Sequence, residues 1–227
     1  MSPVIGVLAL QGDVAEHVHA LRAVGVSTKE VRTVDELQSV EGLVLPGGES
    51  TTIARLAGIF ELLEPLRAAI KKGLPCFGSC AGMILLADRV LDGEVDQPTF
   101  GGMDITVRRN AFGRQVDSFE TELEISGIAG PPMHAVFIRA PWIEEIGPEV
   151  EVLARVTEGP AEGRIVAASQ GNVMVCSFHP ELTSDTRLHE LFVQKVKGPP
   201  LAATPNGRQP STRRRSLTPS VPSCSPS

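Results

Sequence analysis

A chain of 227 residues with 42% hydrophobic content is long enough to bury one well-filled core, and a single folded domain is the expectation. The formal net charge of −6 is unevenly spread: from position 198 onward there are four arginines and no acidic residue, leaving 17 basic against 27 acidic side chains before it. A body at −10 repels phosphate backbones, which argues against nucleic acid as a partner. No run approaches the roughly 18 consecutive apolar residues of a membrane span, and Gln11 and Asp13 follow the first short apolar run too closely for a signal peptide. The four cysteines, Cys76, Cys80, Cys176 and Cys224, have neither CxxC spacing nor a paired framework, which fits a reducing, cytoplasmic compartment.

The apolar run over 3–10, ended by Gln11-Gly12, predicts a buried parallel strand stopping at a turn. Asp13 is a plausible N-cap for a helix in which Val14, Val18, Leu21 and Val24 recur at helical spacing until Gly25. A strand over 42–45 leads into a Pro46-Gly47-Gly48 loop and a helical stretch over 51–72, divided near Gly58. A third strand over 75–78, a sharp turn at Cys80 and a helix over 81–89 complete the alternation. The second half reads as strands over 103–108, 119–125, 134–140, 150–156, 164–168 and 173–178, with a last helix over 186–196. The expected fold is α/β, a mostly parallel sheet flanked by helices with an antiparallel extension. Residues 1–197 form the expected domain; 198–227, with seven prolines and an Arg213-Arg214-Arg215 cluster, have little to bury and are expected to be a disordered tail.

Three segments carry candidate chemistry. Gly78-Ser79-Cys80-Ala81-Gly82, between a predicted strand and a predicted helix, has the form of a nucleophile elbow with cysteine as the nucleophile. Flanking glycines let neighbouring chain approach a strained residue, and the following helix N-terminus favours a thiolate. The pentapeptide alone fits a tight strand-to-helix crossover equally well. Cys76 and Cys176, inside apolar strands, read as core.

At the end of the last strand stands Ser177-Phe178-His179-Pro180-Glu181. In extended chain, residues two apart face the same side, and Pro180 pushes His179 toward that geometry. A carboxylate beside an imidazole orients it and raises its basicity, so with Cys80 these residues form a Cys80, His179, Glu181 triad candidate. The third segment, Leu45-Pro46-Gly47-Gly48-Glu49-Ser50-Thr51-Thr52, places glycine N–H groups at a strand end, where they suit an oxyanion hole or simply a tight turn. It lacks the phosphate-loop pattern GxxxxGK[ST].

Elbow cysteine, PGG loop and terminal HPE, in this order, resemble the class I triad glutamine amidotransferases. More narrowly, residues 3–197 resemble the family of glutaminase subunits of pyridoxal 5'-phosphate synthase. The markers are Gly6 to Gly12 with Glu16-His17, the LPGGESTT segment, Arg109-Asn110-Ala111-Phe112-Gly113-Arg114-Gln115, Phe137-Ile138-Arg139-Ala140-Pro141, and 177–183. The resemblance implies hydrolysis of L-glutamine through a thioester on Cys80, with ammonia passed to a barrel-shaped synthase subunit in a hetero-oligomeric complex. It implies substrate contacts at Gly47, Gly48, Glu49, Ser50, Arg109, Ile138 and Arg139, and an oxyanion hole from Gly48 and Ala81 with Gln11 close by.

Ser79 stands where the family usually has threonine. His17 reads as part of a partner-facing helix surface, His19 as a helix position, and His134 and His189 as structural; none has metal-ligand spacing, and neither metal nor cofactor is expected. The alternatives are a class I glutaminase feeding another acceptor, a cysteine-elbow protein of the DJ-1-like or PfpI-like kind, and a non-catalytic scaffold whose triad never assembles.

Overall fold

The computed structural model describes residues 2–93, 97–109, 111, 118–159 and 161–198. Of the expected tail over 198–227, residues 199–227 lie outside the described residues, as do Asn110 and Phe112 to Gln115 of the RNAFGRQ segment.

Five strands make a parallel core in the order β2-β1-β3-β4-β12: β2 (Ser27–Val31), β1 (Val4–Leu8), β3 (Gly42–Leu45), β4 (Cys76–Ser79) and β12 (Val173–Cys176). The sheet continues through β11 (Ile165–Gln170), β9 (Trp142–Ile146), β6 (Met103–Arg108) and β5 (Ala87–Leu91), with β10 (Glu151–Arg155) also on β11. The pairs in this half are antiparallel except β5 with β6. A separate antiparallel pair is formed by β7 (Ser118–Leu123) and β8 (Met133–Ile138). The expected antiparallel extension is therefore real, and it takes two forms.

Helices cover both faces of the parallel core, which is why its inner strands read as unbroken apolar runs. On β3, Leu43 and Leu45 point into a core shared with α3 (Ser50–Ile59), α4 (Leu63–Lys71) and α5 (Ala81–Leu86). Val44, one residue out of phase, joins the opposite core with α1 (Val14–Ala23), α6 (Arg187–Lys197) and Phe137 of β8.

Several elements differ from expectation. The edge strand β2 has the sequence STKEV, in which only Val31 is buried, so it carries no apolar run. It leads into a short helix, α2 (Val34–Gln38), whose capping box is visible in the sequence: Glu36 N–H donates to Thr33 Oγ1, and Thr33 N–H donates to Glu36 Oε2 at 2.9 Å. The helix after Cys80 stops at Leu86 rather than reaching Arg89, because 87–91 pair with β6 as a strand. The helix over 51–72 is divided near Gly58 as expected: α3 ends at Ile59, and Glu61 at φ 58 turns the chain before α4.

One close approach holds the functional end together. A Cβ placed on Gly82 would lie 2.2 Å from the backbone oxygen of Leu45, at the end of β3. Gly82→Ala should therefore force the β3 end away from the elbow, destabilising the fold by about 1–3 kcal/mol, the usual cost of overpacking a tight core. Urea unfolding measures it; a variant within a few tenths of wild type would contradict the contact.

Candidate active site

Adjacent strands β1, β3, β4 and β12 all end at the same edge, and the segments leaving their carboxyl ends carry the candidate residues. Cys80 follows β4 at φ 46 and ψ −101, a conformation costly for a residue with a Cβ. It is held there by its N–H, which donates to Cys176 O of β12 at 2.8 Å, and by its carbonyl, which accepts from Met83 N–H at 3.1 Å as α5 begins. The elbow read from sequence is present, and the side chain is almost covered, at 7% exposure.

His179 leaves the neighbouring strand, and its backbone N–H donates to Val136 O of β8 at 2.9 Å. Its ring lies within hydrogen-bonding reach of Cys80, and Nδ1 is 2.8 Å from Glu181 Oε1, on the short 3-10 turn Pro180–Leu182. An Nδ1–H donated to the carboxylate leaves Nε2 for the sulfur. Burial pushes Glu181 above the usual carboxylate range, and the His179 proton pulls partly against it. Burial also disfavours a charged imidazole, yet hydrogen bonds to Asp13, Cys80 and Glu181 outweigh it and push His179 up to about 12.

Asp13 is the functional residue that the sequence concealed. It occupies the N-cap position of α1 but makes no side-chain cap bond; its Oδ2 instead lies 3.3 Å from His179 Nδ1. The side chains of Asp13, His179 and Glu181 bring potential metal-ligand atoms within 4.8 Å of one another. The atom they share, Nδ1, is taken up by the two carboxylates, so the grouping works as a charge network around the imidazole. Gly47 leaves room for it, since a Cβ there would lie 2.5 Å from His179 Cε1 and 2.8 Å from Asp13 Oδ2.

Cys80, His179 and Asp13 line a pocket of about 410 Å³ together with Gln11, Gly48, Glu49 and Ser50, and with Arg109, Ile138 and Arg139 on the far wall. Ala81 also lines it, so every candidate position from the sequence except Gly47 and Glu181 faces this cavity; those two lie directly behind His179. Glu49 serves two purposes: Oε2 accepts from Thr52 N–H at 2.7 Å, capping α3, while Oε1 pairs with Arg109 at 3.0 Å. Gln97 Oε1 holds the same guanidinium at 2.8 Å. Gln11 Oε1 accepts the Glu49 N–H at 2.8 Å, fixing the loop beside the elbow. Arg139 sits at φ 43, a strained position that turns its side chain toward the pocket wall.

A sequence model of the SNO glutamine amidotransferase family matches residues 7–198. The chain belongs to the SNO glutamine amidotransferase family. The pyridoxal 5'-phosphate synthase subunit PdxT of Frankia alni is 63% identical over 195 residues, spanning 86% of this chain and 96% of that protein. The subunit of the same name from Kineococcus radiotolerans is 64% identical over 198 residues, with the same coverage of each chain. A solved structure described as a glutamine amidotransferase superposes with a TM-score of 0.78 at 46% identity, covering 85% of this chain and 98% of that one.

Behind the pocket, this SNO family member contradicts one expectation. His17 is not on a partner-facing surface but fully buried, with Nε2 2.9 Å from Ser79 Oγ and 3.3 Å from Glu181 Oε2, and Nδ1 3.0 Å from His189 Nε2. Helical spacing from Val14 puts His17 next to Val18 on the inward face, so the signal was present in the periodicity. The fully buried Phe77 meets both imidazoles edge-on, at centroid distances of 6.2 Å and 5.8 Å. Burial first, then the neighbouring His189 and His179, holds His17 well below the usual histidine range. Burial pushes His189 down to about 4. His134, by contrast, is exposed between Glu120 and Glu122 on β7. Cys76 and Cys176 are core thiols as expected, burial pushing Cys76 up to about 12.

Two predictions follow from these environments. An unfolded His189 binds its proton near pH 6.5 and the folded one only near 4, so stability should be lost as pH falls through that window. Denaturant unfolding at a series of pH values checks this, and His189→Phe should flatten the slope. Asp13→Asn removes a negative partner from a charged imidazole, so the His179 titration should move to lower pH, as read by imidazole ¹⁵N shifts. An unmoved titration would mean that Asp13 does not act on the ring.

Proposed function

We propose that the chain hydrolyses L-glutamine to L-glutamate and ammonia as the glutaminase subunit of a pyridoxal 5'-phosphate synthase. One observation carries this reading: Cys80 in an elbow at the end of β4, beside a His179–Glu181 pair at the end of the adjacent parallel strand, facing one pocket. The near-complete alignment with PdxT subunits supports the specific acceptor system.

In this reading the Cys80 sulfur attacks the side-chain amide carbon, forming a tetrahedral oxyanion, and collapse expels ammonia as His179 delivers a proton to the leaving nitrogen. The γ-glutamyl thioester left on sulfur is then attacked by water, which gives its proton to His179, releasing glutamate and free Cys80. Glu181 keeps the ring in register through both steps. The backbone N–H groups of Gly48 and Ala81 serve the oxyanion, and Gln11 fixes the loop carrying Gly48. Gly48, Glu49 and Ser50 on one wall, backed by Gly47 behind His179, and Arg109, Ile138 and Arg139 on the other form the substrate site. A guanidinium there matches the α-carboxylate of glutamine in charge and fork geometry. The ammonia acceptor is a barrel-shaped synthase subunit, and a reducing cytoplasm suits three buried free thiols. Among the described residues, no helix is long and apolar enough to cross a membrane.

Glutamate release from L-glutamine by wild type and Cys80→Ala, each with and without a pyridoxal 5'-phosphate synthase subunit, tests the proposal. Partner-stimulated activity that disappears with Cys80 is the expected result. Activity indifferent to the partner would point to another acceptor, and none in any mixture would overturn the glutaminase reading. The catalytic unit is 1–197, so removing 199–227, beyond the family match ending at 198, should leave kcat within about twofold; a large loss would give those residues a part in the unit.

A further inference from the structure

We infer that His17 is a positioning residue: its Nε2–H, held in that tautomer by His189, acts on the second carboxylate oxygen of Glu181 and so fixes the carboxylate that orients His179.

Glu181 Oε1 is taken by His179 at 2.8 Å, whereas Oε2 is buried with no aligned hydrogen bond. The nearby polar hydrogen source is His17 Nε2 at 3.3 Å, which also lies 2.9 Å from Ser79 Oγ. His17 Nδ1 meets His189 Nε2 at 3.0 Å, and His189 Nδ1 is buried without a partner.

Two neutral tautomer arrangements are open to the histidine pair. If His17 carries its proton on Nδ1, it donates to His189 Nε2, and His189 must bury an unpartnered Nδ1–H. His17 then also turns a lone pair toward the carboxylate, and the Ser79 hydroxyl donates to that nitrogen at 2.9 Å. If His17 carries its proton on Nε2, His189 donates Nε2–H to it, His189 buries only a bare ring nitrogen, and Glu181 Oε2 faces a polar hydrogen shared with Ser79. The second arrangement leaves the Ser79 hydroxyl hydrogen unmet but turns a polar hydrogen toward the carboxylate oxygen that the first leaves bare, and an unmet buried charge costs more than an unmet neutral donor. It gives one direction to the whole chain, from His189 through His17 and Glu181 to His179 and Cys80.

The groups facing this chain are few. Asp13 approaches His179 from the pocket side, Cys176 lies on the Glu181 side of β12, and Ser79 and the Phe77 ring close it from β4. Ser79, the residue before the nucleophile, shares the His17 proton with Glu181, so the elbow and the base are tied from behind as well as across the pocket.

The inference rests on the proposed glutaminase reaction for its kinetic consequence, but not for its tautomer. In the wild-type protein, imidazole ¹⁵N spectra at neutral pH should show His17 protonated at Nε2 and bare at Nδ1; the reverse tautomer would overturn the inference whatever the reaction is. For kinetics, in the complex with a synthase subunit, His17→Phe should lower kcat for glutamine hydrolysis about 10- to 100-fold, as loss of an orienting partner does, with KM nearly unchanged. The acid limb of its pH profile should move up, since a carboxylate deprived of a donor holds its proton more tightly. His17→Gln, whose amide reaches the Nε2 position, should recover most of the rate, and His17→Asn, which mimics Nδ1, should not. A His17→Phe enzyme with wild-type kcat and profile, or Gln and Asn variants equally impaired, would overturn the role. Should His17→Phe fail to fold, the Gln and Asn pair and the wild-type spectrum decide the question.

Discussion

The active site depends on the parallel pairing of β4 with β12, in a register that sets Ser79 opposite Cys176. Each strand runs one turn beyond that pair into a functional segment, so Cys80 and His179 emerge side by side although 99 positions apart in sequence. The Cys80 N–H then bonds across to Cys176 O, locking the elbow onto the strand that leads to His179. A one-residue slip would turn the whole of β12 over and carry His179 away from the sulfur. Packing on both faces forbids the slip, because Val175 and Cys176 belong to opposite cores.

Around that pairing, charge is placed with little freedom. His179 has carboxylates on two sides, one buried behind it and one at the pocket rim, and backbone fixes both approaches through the Gly47 turn and the short helix at Pro180. A ring so enclosed is biased toward its charged form by the carboxylates on both sides, the form that carries a proton for a leaving amine. The far wall is built differently: Arg109 is anchored by Glu49 and Gln97 rather than by core packing. One carboxylate thus joins the cap of α3 to the far wall of the pocket, so local helix stability and the position of Arg109 are linked.

Much of this was legible in the sequence because it is local. β3 fills residues 42–45 as its apolar run predicts, and the elbow and the PGG loop lie where short-range patterns put them; His179 and Glu181 do meet, but over a 3-10 turn at Pro180–Leu182 after a strand that stops at Cys176, not in the extended chain expected. What escaped is what the wider fold decides. β2 is an edge strand whose polar residues need no partner face, and β5 and β9 exist because β6 lies between them, not because of their own periodicity. Asp13 looked like a cap and serves the imidazole instead, a choice made by a loop more than 30 residues away. His17 was assigned to the surface although its helical phase pointed inward; a buried histidine becomes intelligible only once His189, Ser79 and Glu181 are seen to surround it.

The central claim is that Cys80 forms the bond to substrate. Acid quenching of the enzyme during turnover on L-glutamine in the presence of a synthase subunit, followed by peptide mass analysis, tests it directly. The account predicts a γ-glutamyl adduct on the peptide containing Cys80, absent in Cys80→Ala. Sustained glutamate release by the Cys80→Ala protein, with no adduct on the wild-type peptide, would contradict it.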